Sequence, residues 1–85
     1  MSIDDTHDTV GDIDEPGLSY EFNTLRVYRR KSDGAHFYAT DAGCSCPIPF
    51  DGTTEADLQP YDEAKVREWA REVGADPSSV IAMVR

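Results

Sequence analysis

Thr24-Leu-Arg-Val-Tyr-Arg-Arg-Lys-Ser-Asp-Gly-Ala-His-Phe-Tyr-Ala-Thr40 is the stretch on which the fold turns. Successive side chains of a strand point to opposite faces, so Leu25 and Val27 share one face while Arg26, Tyr28 and Arg30 share the other. Lys31-Ser-Asp-Gly34 breaks the pattern, and Asp33-Gly34 is a pair that tolerates the positive φ of a tight hairpin turn. Alternation then resumes, with Phe37 and Ala39 opposite His36, Tyr38 and Thr40. A β-hairpin follows. Upstream, Tyr20 and Phe22 alternate around Glu21, which predicts a preceding strand with Asn23 at a bend or bulge. The expected sheet is small and antiparallel, of two or three strands, and one of its faces needs cover.

A helix supplies the cover. Val66, Trp69, Ala70 and Val73 recur at helical spacing and form one apolar stripe, with Trp69 expected as the central contact between helix and sheet. Asp62 suits the N-cap, and Tyr61 and Val66 stand at the positions of a hydrophobic staple. Glu63 can pair with Arg67, and Gly74 fits the residue after the last turn. Asp76-Pro77 starts a second, short helix by the same logic. Val80-Ile-Ala-Met-Val84 is β-branched enough to compete as a strand, and helix is preferred. Asp51 to Leu58 has room for one helical turn with Leu58 directed inward. The fold class is therefore α+β: a small sheet, one main helix and a short C-terminal helix.

The chain has 85 residues and a formal net charge of -9. Residues 1–17 hold Asp4, Asp5, Asp8, Asp12, Asp14 and Glu15 without a single Lys or Arg, so two thirds of the excess lies there. Few large apolar side chains interrupt this stretch, and it ends in Pro16-Gly17. Such composition predicts a disordered acidic tail over 1–17 and a single domain over 18–85. An acidic balance argues against direct nucleic-acid binding and favours basic protein partners or plain solubility. No apolar run approaches the roughly 20 residues of a membrane span, and Met1-Ser-Ile-Asp-Asp5 is unlike a basic leader, so no membrane association is expected.

Asp41-Ala-Gly-Cys-Ser-Cys-Pro-Ile-Pro-Phe50 places both cysteines in one constrained segment. Gly43 would allow a sharp turn there, Pro47 and Pro49 remove two backbone donors, and Phe50 is an apolar anchor. Cys44, Ser45, Cys46, Pro47, Ile48, Pro49 and Phe50 thus form a candidate interaction loop. Cys44 and Cys46 also make half of a zinc site, with His36 and Asp41 as conceivable further ligands, but a closed site presents two ligand pairs. Plain loop thiols are the simpler expectation. His36 is the one imidazole outside the acidic stretch, and a Cys–His nucleophile would have to be built from it. No phosphate-cradling glycine loop is present. Neither an enzyme nor a cofactor is expected. Arg26, Arg29, Arg30 and Lys31 form the one basic patch, interleaved with Tyr28. They would either protect an edge strand by charge or be covered by the acidic stretch.

Tyr20-Glu-Phe-Asn-Thr-Leu-Arg-Val-Tyr28, Tyr38-Ala-Thr-Asp41 and Gly43-Cys-Ser-Cys-Pro-Ile-Pro-Phe50 together resemble a group of small proteins encoded by actinobacterial bacteriophages and prophages. The resemblance runs from about Leu18 to Val73. It implies a phage origin and a cytoplasmic setting in the infected host, where thiols stay reduced; it implies no mechanism. The expected function is that of a non-enzymatic phage accessory protein acting on a host or phage protein. A small structural zinc module and an acidic DNA mimic are the alternatives.

Overall fold

The computed structural model describes residues 3–18, 21–44 and 53–84. Four strands form one antiparallel sheet in sequence order: β1 (His7–Asp14), β2 (Glu21–Arg30), β3 (His36–Cys44) and the two-residue β4 (Gln59–Pro60). Two helices follow, α1 (Glu63–Val73) and α2 (Ser78–Val84), and single 3-10 turns lie at Ile3–Asp5 and Glu55–Asp57. The hairpin is in the expected register, with Val27 opposite Tyr38 and Tyr28 opposite Phe37. Its turn is held by Arg30, which pairs with Asp33, and by the positive φ of 75° at Gly34.

The expected sheet of two or three strands is corrected to four strands among the described residues, and the main helix is accompanied by the short C-terminal α2. The added strand comes from the acidic stretch: His7–Asp14 pairs along β2 from His7 opposite Arg30 to Asp14 opposite Thr24. A disordered tail over 1–17 is therefore not what these residues form, and Ile13, His7 and Ile3 are buried at 3%, 2% and 7% exposure. The physical reason is that β2 offers a full ladder and three cations to a strand whose carboxylates would otherwise repel each other. No bend divides β2 at Asn23, which sits in register opposite Ala42. Gly43 is likewise no turn but a strand residue opposite Phe22.

Both faces of the sheet are covered. On one, Leu25, Val27 and Ile13 pack against Val66, Ala70, Val80 and Ile81 from the helices. Val66 and Ala70 are fully buried, whereas Trp69 is half-buried at the rim of this cluster and is not its centre. On the other, Tyr28 and Ala39 pack with Ile3, and Leu58 closes over them. That second core was not expected on a face carrying Arg26 and Arg30.

Local signals account for the helices. Asp62 accepts a hydrogen bond from the Ala64 N–H at 3.0 Å, and Gly74 ends α1 with a φ of 79°. The Asp76 carboxylate accepts from the Ser78 N–H and hydroxyl and opens α2. Strand β1 changes register between Thr9 and Gly11. There α2 comes so close that a Cβ on Gly11 would lie 3.1 Å from Val80 Cγ2.

Candidate functional site

The four cations of the basic patch do not form a free surface. Arg26 makes a bidentate pair with Asp12, at 2.6 and 2.9 Å. Arg29 and Lys31 both approach Asp8 at 3.8 Å. Arg30 makes a second bidentate pair with Asp33 and lies 4.9 Å from the centre of the Phe37 ring. Hydrogen bonding to Asp12 raises the Arg26 pKa further above its ordinary range, and the Arg30 guanidinium holds the Asp33 carboxyl well below the usual carboxylate range. Three of the four cations thus meet carboxylates of the acidic stretch, which is an ordered strand, and the fourth meets the hairpin's own Asp33. Since β2 is a central strand, charge protection of an edge is not its role.

His7 was absent from the residues expected to matter, because it lies in a run that reads as disordered. It is buried, its Nδ1 is 2.8 Å from the Thr6 hydroxyl, and its ring meets Tyr28 and Phe37 edge-on. Its pairing opposite Arg30 and the neighbouring Thr9 opposite Tyr28 place it on the second core face. This is a packing environment.

The other candidate residues are dispersed. His36 opens β3, where its carbonyl accepts from the Tyr61 N–H and its ring lies 6.4 Å from the Tyr61 ring. Cys44 closes the same strand, opposite Glu21. Eight steps of about 3.3 Å separate the two by roughly 26 Å, so they cannot share one metal ion within a chain. Ser45, Cys46, Pro47, Ile48, Pro49 and Phe50 lie outside the described residues. Among the described residues no group of three or more His, Cys, Asp or Glu could hold a metal ion, and no helix is long and apolar enough to cross a membrane.

A cavity of about 530 Å³ lies along the outer edge of β3, between Tyr38, Thr40, Asp41, Thr53, Asp57 and Gln59. Among the described residues, two carboxylates and no cation line it. Asp57 is fixed by a capping box, its Oδ2 accepting from the Thr54 N–H at 2.9 Å. Asp41 is half-buried and its Oδ1 accepts from the Ala42 N–H at 2.9 Å. Strand β4 covers only Phe37 and Tyr38, so among the described residues the ladder stops where the cavity begins. Sequence spacing gave no sign of this site, because Asp41 and Asp57 are brought together only by the return of the chain at β4.

A family model described as "Domain of unknown function (DUF7574)" matches residues 5–83, which includes β1, α1 and all of α2 but its last residue. No curated protein and no solved structure matches the chain.

Proposed function

The chain belongs to the DUF7574 family, and from that premise we propose that it is a non-enzymatic binding protein whose partner is a basic protein. The observation that carries this reading is the cavity beside β3, which presents Asp41 and Asp57 with no cation among its described lining residues. Elsewhere Asp8, Asp12 and Asp33 are engaged by Arg29, Lys31, Arg26 and Arg30. The cavity is thus an acidic surface on a chain whose net charge is -9. Complementary charge speeds encounter and sets which partner is accepted. The phage resemblance supplies the setting, with a host or phage protein as the target.

The two alternatives gain less support. A DNA mimic needs ordered carboxylates presented to solvent, and those on β1 at Asp8 and Asp12 are paired with the chain's own cations. A zinc module loses His36 as a ligand through its distance from Cys44.

The test is capture on the immobilised chain from an actinobacterial lysate, beside the double variant Asp41→Asn, Asp57→Asn. Asparagine keeps an acceptor oxygen for each local hydrogen bond and removes the charge. The wild type should retain basic proteins that are released by raised salt, and the variant should not. Equal retention by both chains would refute the reading.

A further inference from the structure

The β2–β3 hairpin needs glycine at position 34, whose φ of 75° is a backbone conformation that residues with a Cβ rarely adopt. Asp33 precedes it, and both are exposed at the tip of the turn. The same dipeptide is chemically vulnerable. With no Cβ on Gly34 to obstruct the approach, its nitrogen can attack Asp33 Cγ. A C–N bond forms, the amide proton leaves with the carboxyl OH as water, and a cyclic succinimide results. Water then opens the ring at either carbonyl. Opening at Cγ restores aspartate. Opening at the main-chain carbonyl leaves the chain running through the side chain as isoaspartate, with an extra methylene in the backbone.

Both reacting ends are held, and Arg30 supplies a hold on each. Its Nε and Nη2 donate to Oδ1 and Oδ2 of Asp33 at 2.9 and 2.6 Å. Its carbonyl oxygen accepts from the Gly34 N–H at 2.7 Å. Arg30 is itself fixed, since its N–H donates to the Ala35 carbonyl at 2.8 Å and its guanidinium lies 4.9 Å from the centre of the Phe37 ring.

Ring closure needs a neutral carboxyl, because a carboxylate carbon is a poor electrophile and oxide does not leave. The Arg30 guanidinium favours the charged form, and so does the Ala35 N–H, which donates to Oδ1 at 3.1 Å. Ring closure also needs the Gly34 nitrogen released from its hydrogen bond and turned toward Cγ. The Arg30 carbonyl opposes that movement.

We infer that Asp33–Gly34 is a latent isoaspartate site and that Arg30 keeps it closed, holding the electrophile through its guanidinium and the nucleophile through its carbonyl. This is independent of the basic-partner reading. The guarded property is the sheet register: an added methylene at the turn would shift β3 along β2, where Arg29 meets His36 and Tyr28 meets Phe37.

The test follows isoaspartate at position 33 in the full chain, kept folded at neutral pH, by chymotryptic mapping and isoaspartyl methyltransferase labelling. Chymotrypsin cuts after Phe37 and Phe50, which separates this site from Asp51-Gly52, a second such pair outside the described residues. The folded wild type should modify at least roughly tenfold more slowly than the same chain unfolded in urea. Arg30→Ala should speed modification roughly three- to fivefold, since the exposed pair is lost while the main-chain hydrogen bond to Gly34 stays. Arg30→Lys keeps a cation without the planar fork and should fall between the two. Trp69→Ala, which lowers stability away from the turn, should match the wild type. A folded Arg30→Ala that modifies at the wild-type rate overturns the inference. So does a Trp69→Ala that speeds up as much as Arg30→Ala, because general unfolding would then set the rate. A wild type no slower than the unfolded chain overturns it as well. Should Arg30→Ala not fold, Arg30→Lys decides: faster modification than wild type supports the hold, and an equal rate overturns it.

Discussion

Removing residues 1–15 tests whether the acidic stretch is part of the fold. The deletion takes away Ile3 and Ile13, which are nearly fully buried, at about 1.5–3 kcal/mol of burial for each side chain. It also uncovers one side of Leu25, Val27 and Tyr28, each at 0% exposure in the intact protein. A further loss of about 2–3 kcal/mol follows, for a total of about 5–9. A chain of this size has roughly 4–13 kcal/mol of stability at about 0.05–0.15 per residue. The truncated protein should therefore be unfolded or marginal. Circular dichroism melts read this directly, with Trp69 fluorescence as a second probe. The milder change Ile13→Ala should cost about 2–4 kcal/mol and lower the midpoint by roughly 10–25 °C. A truncated chain that melts cooperatively within a few degrees of the full chain would refute the placement of β1.

Trp69→Ala should leave the protein folded at a cost of about 1–3 kcal/mol, below the full burial range, while Val66→Asp should abolish the cooperative transition. Gly11→Val should cost about 1–3 kcal/mol in chemical denaturation, since its side chain would push Val80 away from β1; an unchanged midpoint would mean that α2 does not pack there. In a carboxyl NMR titration, Asp33 should protonate well below the usual carboxylate range, and Arg30→Ala should raise its midpoint toward that range while the Ala35 N–H still favours the charged form. The sign is that of a depressed carboxylate: its stabilising effect is present above the usual value near 3.9 and is lost as the pH falls through the lower folded value. Because the pair is exposed, the effect on stability is small and screened by salt. Purified protein should carry no stoichiometric zinc, and Cys44→Ser with Cys46→Ser should stay folded; one zinc per chain with unfolding by a chelator would reverse this.

The hairpin and α1 were legible because each is specified by neighbours in sequence. Asp33-Gly34 marks the turn, Asp62 and Gly74 mark the helix ends, and the periods of two and 3.6 are visible between them. Strand β1 hid for two physical reasons. Its partners are distant, with Arg26 meeting Asp12 across 14 residues. The register change between Thr9 and Gly11 also breaks the period of two, so His7 and Thr9 face one core while Ile13 faces the other. An acidic run with a broken period reads as disorder, although its charges are answered by the neighbouring strand. For the basic patch the acidic stretch was one of two readings, and the choice needed the strand register, because the partners of Arg26, Arg29 and Lys31 are distant in sequence. Cavity residues Asp41 and Asp57 illustrate the remaining limit, because only the sheet register unites them.

If β1 is docked, it seals one side of β2 and sets Asp8 and Asp12 against Arg26, Arg29 and Lys31. Amide hydrogen exchange of the intact chain tests this most directly. The Lys31 N–H donates to Thr6 and the Glu15 N–H donates to Asn23, so the ladder turns the amides of Leu25, Val27 and Arg29 toward β1. Those of Arg26 and Tyr28 face β3. All five should exchange with comparable, strong protection through global opening. Fast exchange at Leu25, Val27 and Arg29 beside slow exchange at Arg26 and Tyr28 would show β2 to be an edge strand, contradicting the four-stranded sheet and the charge balance built on it.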